Sequence, residues 1–232
     1  MHSIAIPESA LARVAEFRAE RHMFSKLDPR RTALVVVDLQ NGFMAPGAPV
    51  EVPVAREIVP NVNRIARALR DAGGTVAYLR FKTDSEALAS WSSFYHLMFS
   101  PARRDEMAAA FAPDAPDFAL WPELDVQPGD WIVDKTRYSA FVPGTCDLDV
   151  RLKEAGIDTL IITGTVTNCC CESTARDAMQ RDFRVVFVSD GNAALTDADH
   201  NATLGNMVSL FADVMSTEEV LAAIPARSRK AA

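Results

Sequence analysis

The stretch Thr159-Leu160-Ile161-Ile162-Thr163-Gly164-Thr165-Val166-Thr167-Asn168-Cys169-Cys170-Cys171-Glu172-Ser173-Thr174 joins an apolar run to a helical pattern. Thr159 to Thr163 reads as a buried strand, and the residues from the cysteines to about Arg181 read as a helix. Thiols therefore fall where a strand turns into a helix. The first backbone N–H groups of a helix lack internal partners and its dipole favours negative charge there, so a cysteine in this turn is expected to sit closer to its thiolate form. One of these thiols is read as a nucleophile.

Working outward, the same alternation recurs. Thr32 to Leu39 (TALVVVDL) is an apolar β-branched run of the kind buried on both faces of a parallel sheet, with the carboxylate of Asp38 at its end. A helix is predicted from about Val54 to Ala72, stopped by Gly73-Gly74, followed by strand Thr75 to Phe81. Strand Trp131 to Asp134 ends at Lys135 and leads to a helix near Leu148 to Ala155. After the cysteine turn come strand Arg184 to Ser189, an acidic loop Asp190 to Asp199, a helix from about His200 to Leu210, a short strand Asp213 to Met215 and a closing helix from Thr217. Residues 82–128, rich in Trp, Phe, Met and Pro, read as an irregular insertion or lid-like excursion. The pattern predicts one α/β domain: a doubly wound, mainly parallel six-stranded, Rossmann-like sheet with helices on both faces. Residues 1–28 read as an N-terminal helical arm, amphipathic from about Glu8 to His22, ahead of a domain over 29–232.

Composition narrows the function classes. A chain of 232 residues that is 49% apolar can bury one sizeable core, and its net charge of -7 offers phosphates no general attraction. The evident basic clusters, Pro29-Arg30-Arg31 and Arg227 to Lys230, are short and near the termini, so nucleic acid is not an expected partner. No apolar run approaches the roughly 18 residues of a membrane span, and the N-terminus lacks a signal-peptide core, which gives a cytoplasmic expectation. Three of the four cysteines are adjacent, a poor disulfide framework and a poor zinc site, and they are expected to be free thiols.

In a doubly wound sheet ligands bind at the carboxyl ends of the strands. Asp38, Lys135 and the cysteines all fall at that edge. A carboxylate that takes the thiol proton, an ammonium that stabilises the resulting charges and a thiol at a helix start form a nucleophile, base and orienter set.

These residues lie in three segments, VVVDLQNGF, VDKTRYSAF and GTVTNCCCESTARDA, which resemble the signature segments of the isochorismatase-like cysteine hydrolases from about Thr32 to Met215. The family pattern Gly-x-x-Thr-Asn/Asp-x-Cys falls on Gly164, Thr167, Asn168 and Cys170, so the resemblance gives the nucleophile role to the middle thiol, Cys170. It also implies a cis peptide at Val166-Thr167 and an oxyanion hole from the backbone N–H groups of Thr167 and Cys170. Family members that cleave isochorismate lack the cysteine, and Cys170 points instead to amide or carbamoyl hydrolysis. Members with a metal carry an Asp-x-His and further histidines; here Arg80-Phe81-Lys82-Thr83-Asp84 has no His and His96 stands alone, so neither metal nor other cofactor is expected. The segments look most like the branch that hydrolyses ureidoacrylate and related N-carbamoyl or ureido compounds. Family resemblance and the amphipathic arm imply a homo-oligomer, a dimer or tetramer.

Around the three reactive groups, Gln40 and Asn41 follow the base and either bond substrate or shape the turn. Phe43, Tyr138 and Phe141 are candidate pocket walls, with core packing as the alternative. Arg80, Arg137 and Lys82 are candidate holders of a substrate carboxylate, Lys82 fitting solvated surface better, and Asn168 is a further candidate substrate contact. Two other functions fit parts of the pattern: an isochorismatase-type vinyl-ether hydrolase with an idle Cys170, and a non-catalytic thiol-rich redox or scaffold protein.

Overall fold

A computed structural model describes residues 1–225; the basic cluster Arg227 to Lys230 lies outside the described residues. The chain opens with α1 (Glu8–Phe17) and enters the sheet through β1 (Thr32–Val37), followed by α2 (Asn41–Met44), α3 (Ala55–Asp71) and β2 (Thr75–Phe81). Helices α4 (Ser85–Ser90) and α5 (Pro101–Ala110), with an intervening wide turn Ser93–Met98, precede β3 (Trp131–Lys135). Then come α6 (Leu148–Glu154), β4 (Thr159–Thr165), a π-type turn Thr167–Cys171, α7 (Glu172–Gln180), β5 (Arg184–Ala193), α8 (Asp197–Asn206), β6 (Asp213–Met215) and α9 (Thr217–Ala223).

The six strands form one sheet in the order β3-β2-β1-β4-β5-β6, every neighbouring pair parallel. Every residue of β1 is buried. Because side chains alternate across a strand, Leu34 and Val36 enter the core on one face while Ala33, Val35 and Val37 enter the other. Helix α3 presents Ile58, Val62, Ile65 and Leu69 to the first core at helical spacing. Helix α1 buries Ala10 and Val14 in the second, so the arm docks on the body of its own chain.

Several boundaries differ from the sequence reading, among them the helix expected from about His200 to Leu210, which runs from Asp197 to Asn206. The first helix ends at Phe17 rather than near His22. Strand β5 runs through Ala193, into what reads as an acidic loop, because the register shift between Ile162 and Gly164 lets Asn192 and Ala193 pair with β4. The 82–128 segment is irregular only in its second half: α4 and α5 carry caps from Asp84 and Ser100, and the aromatic side chains Phe94, Tyr95 and Phe111 are core residues. Short helices of this kind take their stability from tertiary packing and leave little periodicity to read.

The chain leaves β1 toward β2 on one side, and β4 pairs on the other. That strand-order reversal opens a crevice at the carboxyl ends of β1 and β4. Close approach there requires Gly164: its φ is +123°, and a Cβ would stand 2.1 Å from the Val37 carbonyl oxygen. The last turn of β1 and the start of the cysteine turn are thereby held against each other.

Candidate active site

Asp38 follows β1 with φ at 52°, a left-handed conformation that a non-glycine residue adopts only where its surroundings enforce it. It is wholly buried. Lys135, at the end of β3, is buried as well and extends past β2, so that Nζ donates to Asp38 Oδ2 at 2.7 Å and to the Arg137 carbonyl at 3.0 Å. Desolvation of such a pair costs more than it returns in stability, so its presence at a strand end points to chemistry.

Burial raises the Asp38 pKa above its ordinary value, against the opposing pull of Lys135 and a smaller one from the Cys170 thiol. Burial also opposes the charge on Lys135, but the Asp38 carboxylate and the thiols outweigh it and keep the ammonium protonated. Oδ1 of Asp38 is left without a well-formed hydrogen bond. A carboxylate raised in this way is a better proton acceptor.

The third member comes from the turn after β4. Cys170 is buried, with 3% of its surface exposed, and lines the cavity at the crevice together with Cys169 and Val166. Its thiol is raised well above its ordinary value, by the hydrogen bond to Cys169 and by burial. The expected shift toward thiolate in this turn falls on Cys169, whose thiol is lowered by the hydrogen bond to Cys170, and not on Cys170 itself. Cys171 is fully buried in the core and Cys146 is not among the cavity-lining residues.

A second correction concerns the backbone. The cis peptide is Thr165-Val166, one residue before the expected Val166-Thr167. Thr167 is wholly buried and does not line the cavity, whereas Val166 does. The Val166 carbonyl accepts from the amides of Cys169 (3.0 Å) and Cys171 (3.3 Å), the residues on either side of Cys170. The Thr167 hydroxyl turns away to His200 Nδ1, 3.0 Å distant.

The cavity has a volume of about 490 Å³. Phe43 and Tyr138 line it as expected. The remaining candidates stand elsewhere. Gln40 is a buried clamp: its amide nitrogen donates to the carbonyls of Phe81 and Phe118 and its oxygen accepts from the Phe81 N–H. Asn41 donates to the Pro116 carbonyl. Arg80 pairs with Asp134 at 2.8 Å and lies over the Phe118 ring. Arg137 bonds Ser90 and stacks on Trp91, Lys82 pairs with Asp84 at 2.9 Å, Phe141 packs on Phe183, and Asn168 is exposed. None of these lines the cavity.

The walls that sequence reasoning missed come from the loop 48–52, from Phe81 and Leu195, and above all from the 82–128 segment, which supplies Phe94, Phe99, Arg103, Met107 and Phe111. Their only signal was the density of large apolar residues there, which does not distinguish core from pocket. Among the described residues no group of three or more His, Cys, Asp or Glu side chains is placed to hold a metal ion, and His96 is exposed beside Arg104. No helix of the described residues is long and apolar enough to cross a membrane.

Comparison with known proteins adds to this geometry. Residues 32–219 match the family model described as the isochorismatase domain. A ureidoacrylate amidohydrolase from Variovorax paradoxus is 34% identical over 201 residues, 81% of this chain and 79% of that protein. An uncharacterized isochorismatase family protein from Bacillus subtilis is 33% identical over 199 residues, 84% of this chain and 95% of that one. The crystal structure of a cysteine hydrolase from Pseudomonas syringae pv. phaseolicola superposes with a TM-score of 0.79 at 32% identity, covering 89% of this chain and 98% of the other.

Proposed function

The chain belongs to the isochorismatase family, and from that premise and the site geometry we propose that it is a metal-independent cysteine amidohydrolase, cleaving a C–N bond of a small linear amide, ureido or N-carbamoyl compound. The observation that carries the reading is the buried Lys135–Asp38 pair beside the Cys170 thiol at one wall of the cavity. The relatives named for amidohydrolase and cysteine hydrolase activity support it.

In this reading Asp38 takes the Cys170 proton as the sulfur attacks the substrate carbonyl carbon, and the carbonyl π pair moves to oxygen. Lys135 remains an ammonium and stabilises the charge of the carboxylate before transfer and of the developing anion after it. The backbone N–H groups of Cys170 and Val166 hold the oxyanion, Val166 replacing the expected Thr167 because it is the residue that lines the cavity. Each well-placed donor contributes about 2.7–4 kcal/mol in the transition state. The tetrahedral intermediate collapses, the C–N bond breaks, and the leaving nitrogen takes the proton from Asp38. Water, deprotonated by Asp38, then attacks the thioester carbon; the sulfur leaves and recovers the proton.

The test is ammonia release from linear amides and ureides by the wild-type protein and by Cys170→Ala, with circular dichroism to verify the fold. Turnover by wild type and none by the variant supports the proposal. Turnover retained in Cys170→Ala ends it, and retained vinyl-ether hydrolysis there would transfer the site to isochorismatase-type chemistry.

A further inference from the structure

We infer that the preferred substrate is an uncharged amide or carbamoyl compound bearing an apolar substituent, aromatic or branched, rather than a carboxylate-bearing ureide; this rests on the amidohydrolase reading above. The cavity next to Cys170 is walled by Phe43, Phe81, Phe94, Phe99, Met107 and Phe111. Its volume of about 490 Å³ falls within the roughly 300–1,000 Å³ of sites that enclose small organic ligands. A carbamoyl head alone would leave most of that apolar surface wet.

Only two of the residues lining the cavity are charged, Glu51 and Arg103. The Glu51 carboxylate accepts from Arg56 at 2.9 Å and from the Gly47 N–H at 2.8 Å. Arg103 donates to Glu106 at 2.5 Å and to the Pro49 carbonyl, with 39% of its side chain exposed at the rim. The Lys135 ammonium is taken by Asp38 and the Arg137 carbonyl. Arg80, Lys82 and Arg137 are engaged outside the walls. A substrate carboxylate drawn in among the phenylalanines would lose its water without gaining a free cation, an unfavourable exchange. An apolar group gains with every methylene buried.

Two matched pairs read this out: hexanamide against succinamate, and phenethylurea against 3-ureidopropionate. Wild type is expected to show a kcat/KM on the order of 100-fold higher for the apolar member of the pair it hydrolyses, the scale set by one missing counter-charge or a few methylenes. Phe99 is half-buried, and Phe99→Ala is expected to raise KM for the apolar member about 10-fold with kcat little changed. Binding of the same four compounds to Cys170→Ser, followed by calorimetry, supplies a readout without turnover. Apolar members that bind Cys170→Ser while wild type hydrolyses nothing would overturn the amidohydrolase reading and leave the pocket assignment standing. Acidic members that bind or react as well as the apolar ones, with a loss on Arg103→Gln, would overturn the inference and make Arg103 the carboxylate anchor. Failure of all four compounds to bind overturns it equally.

Discussion

Lys135 Nζ sits 2.7 Å from Asp38 Oδ2 with both side chains wholly excluded from solvent, although 97 residues separate them in the chain. The pairing is possible because β3 and β1 flank β2, and a lysine at the end of β3 is long enough to cross one strand. Removing one partner leaves an uncompensated buried charge. Lys135→Met is therefore expected to destabilise the fold by roughly 3–5 kcal/mol, while Asp38→Asn combined with Lys135→Met restores most of that stability without restoring activity. Urea unfolding of the two variants checks this; a double variant no more stable than Lys135→Met would contradict it.

The acid limb of the pH–rate profile follows from Asp38. In the proposed mechanism it acts as base in its ionised form, and burial raises its pKa above the ordinary 3.8. Activity is therefore expected to rise with pH through a midpoint above that value and to show no such limb in Asp38→Asn, whose residual rate is at least 100-fold lower. The measurement is kcat/KM against pH on the best of the four probe compounds.

His200 links pH to stability through the cysteine turn. Its Nε2 lies 2.9 Å from the Ser189 carbonyl, which only accepts, so Nε2 carries the proton and Nδ1 accepts from the Thr167 hydroxyl at 3.0 Å. Burial, with help from the His2 ring stacked on it at 4.3 Å, lowers its pKa from 6.5 to about 4. The unfolded chain binds the proton more readily, so this contribution is fully present above pH 6.5 and is lost as pH falls to about 4. The loss is on the order of 3 kcal/mol. Thermal unfolding between these limits should show it in wild type and not in His200→Gln.

Gly164→Ala should be among the most damaging single changes in the chain. A methyl group there meets the Val37 carbonyl at 2.1 Å, and the φ of +123° is closed to alanine. An expected loss of roughly 2–5 kcal/mol, read as a fall in Tm, accompanies a loss of activity because the proposed base and nucleophile follow directly on β1 and β4. A variant with wild-type Tm would refute the close approach.

Gln40→Leu tests a different kind of residue. Gln40 makes three hydrogen bonds to the backbone of Phe81 and Phe118 from a fully buried position. Leucine abandons those backbone groups, at about 1–3 kcal/mol for each that finds no other partner. Denaturant unfolding should register that loss, whereas a change confined to KM would return Gln40 to the role of substrate contact.

The sequence by itself determined the layered fold and the sheet edge at which Asp38, Lys135 and Cys170 lie. Runs such as Leu34-Val35-Val36-Val37 and Leu160-Ile161-Ile162 are apolar at every position, which only a strand covered on both faces accommodates, and the strand ends then fix where Asp38, Lys135 and Cys170 emerge. Tertiary structure decided the rest. Whether Gln40 faces substrate or backbone and whether Arg80 and Arg137 are free or already paired depend on neighbours brought in from distant segments. The cavity walls Phe94, Phe99, Met107 and Phe111 came from a segment whose short helices carry almost no periodic signal. Burial patterns are local and periodic and so are written along the chain; desolvation, pairing and enclosure are properties of three-dimensional proximity, and exist only once the chain has folded.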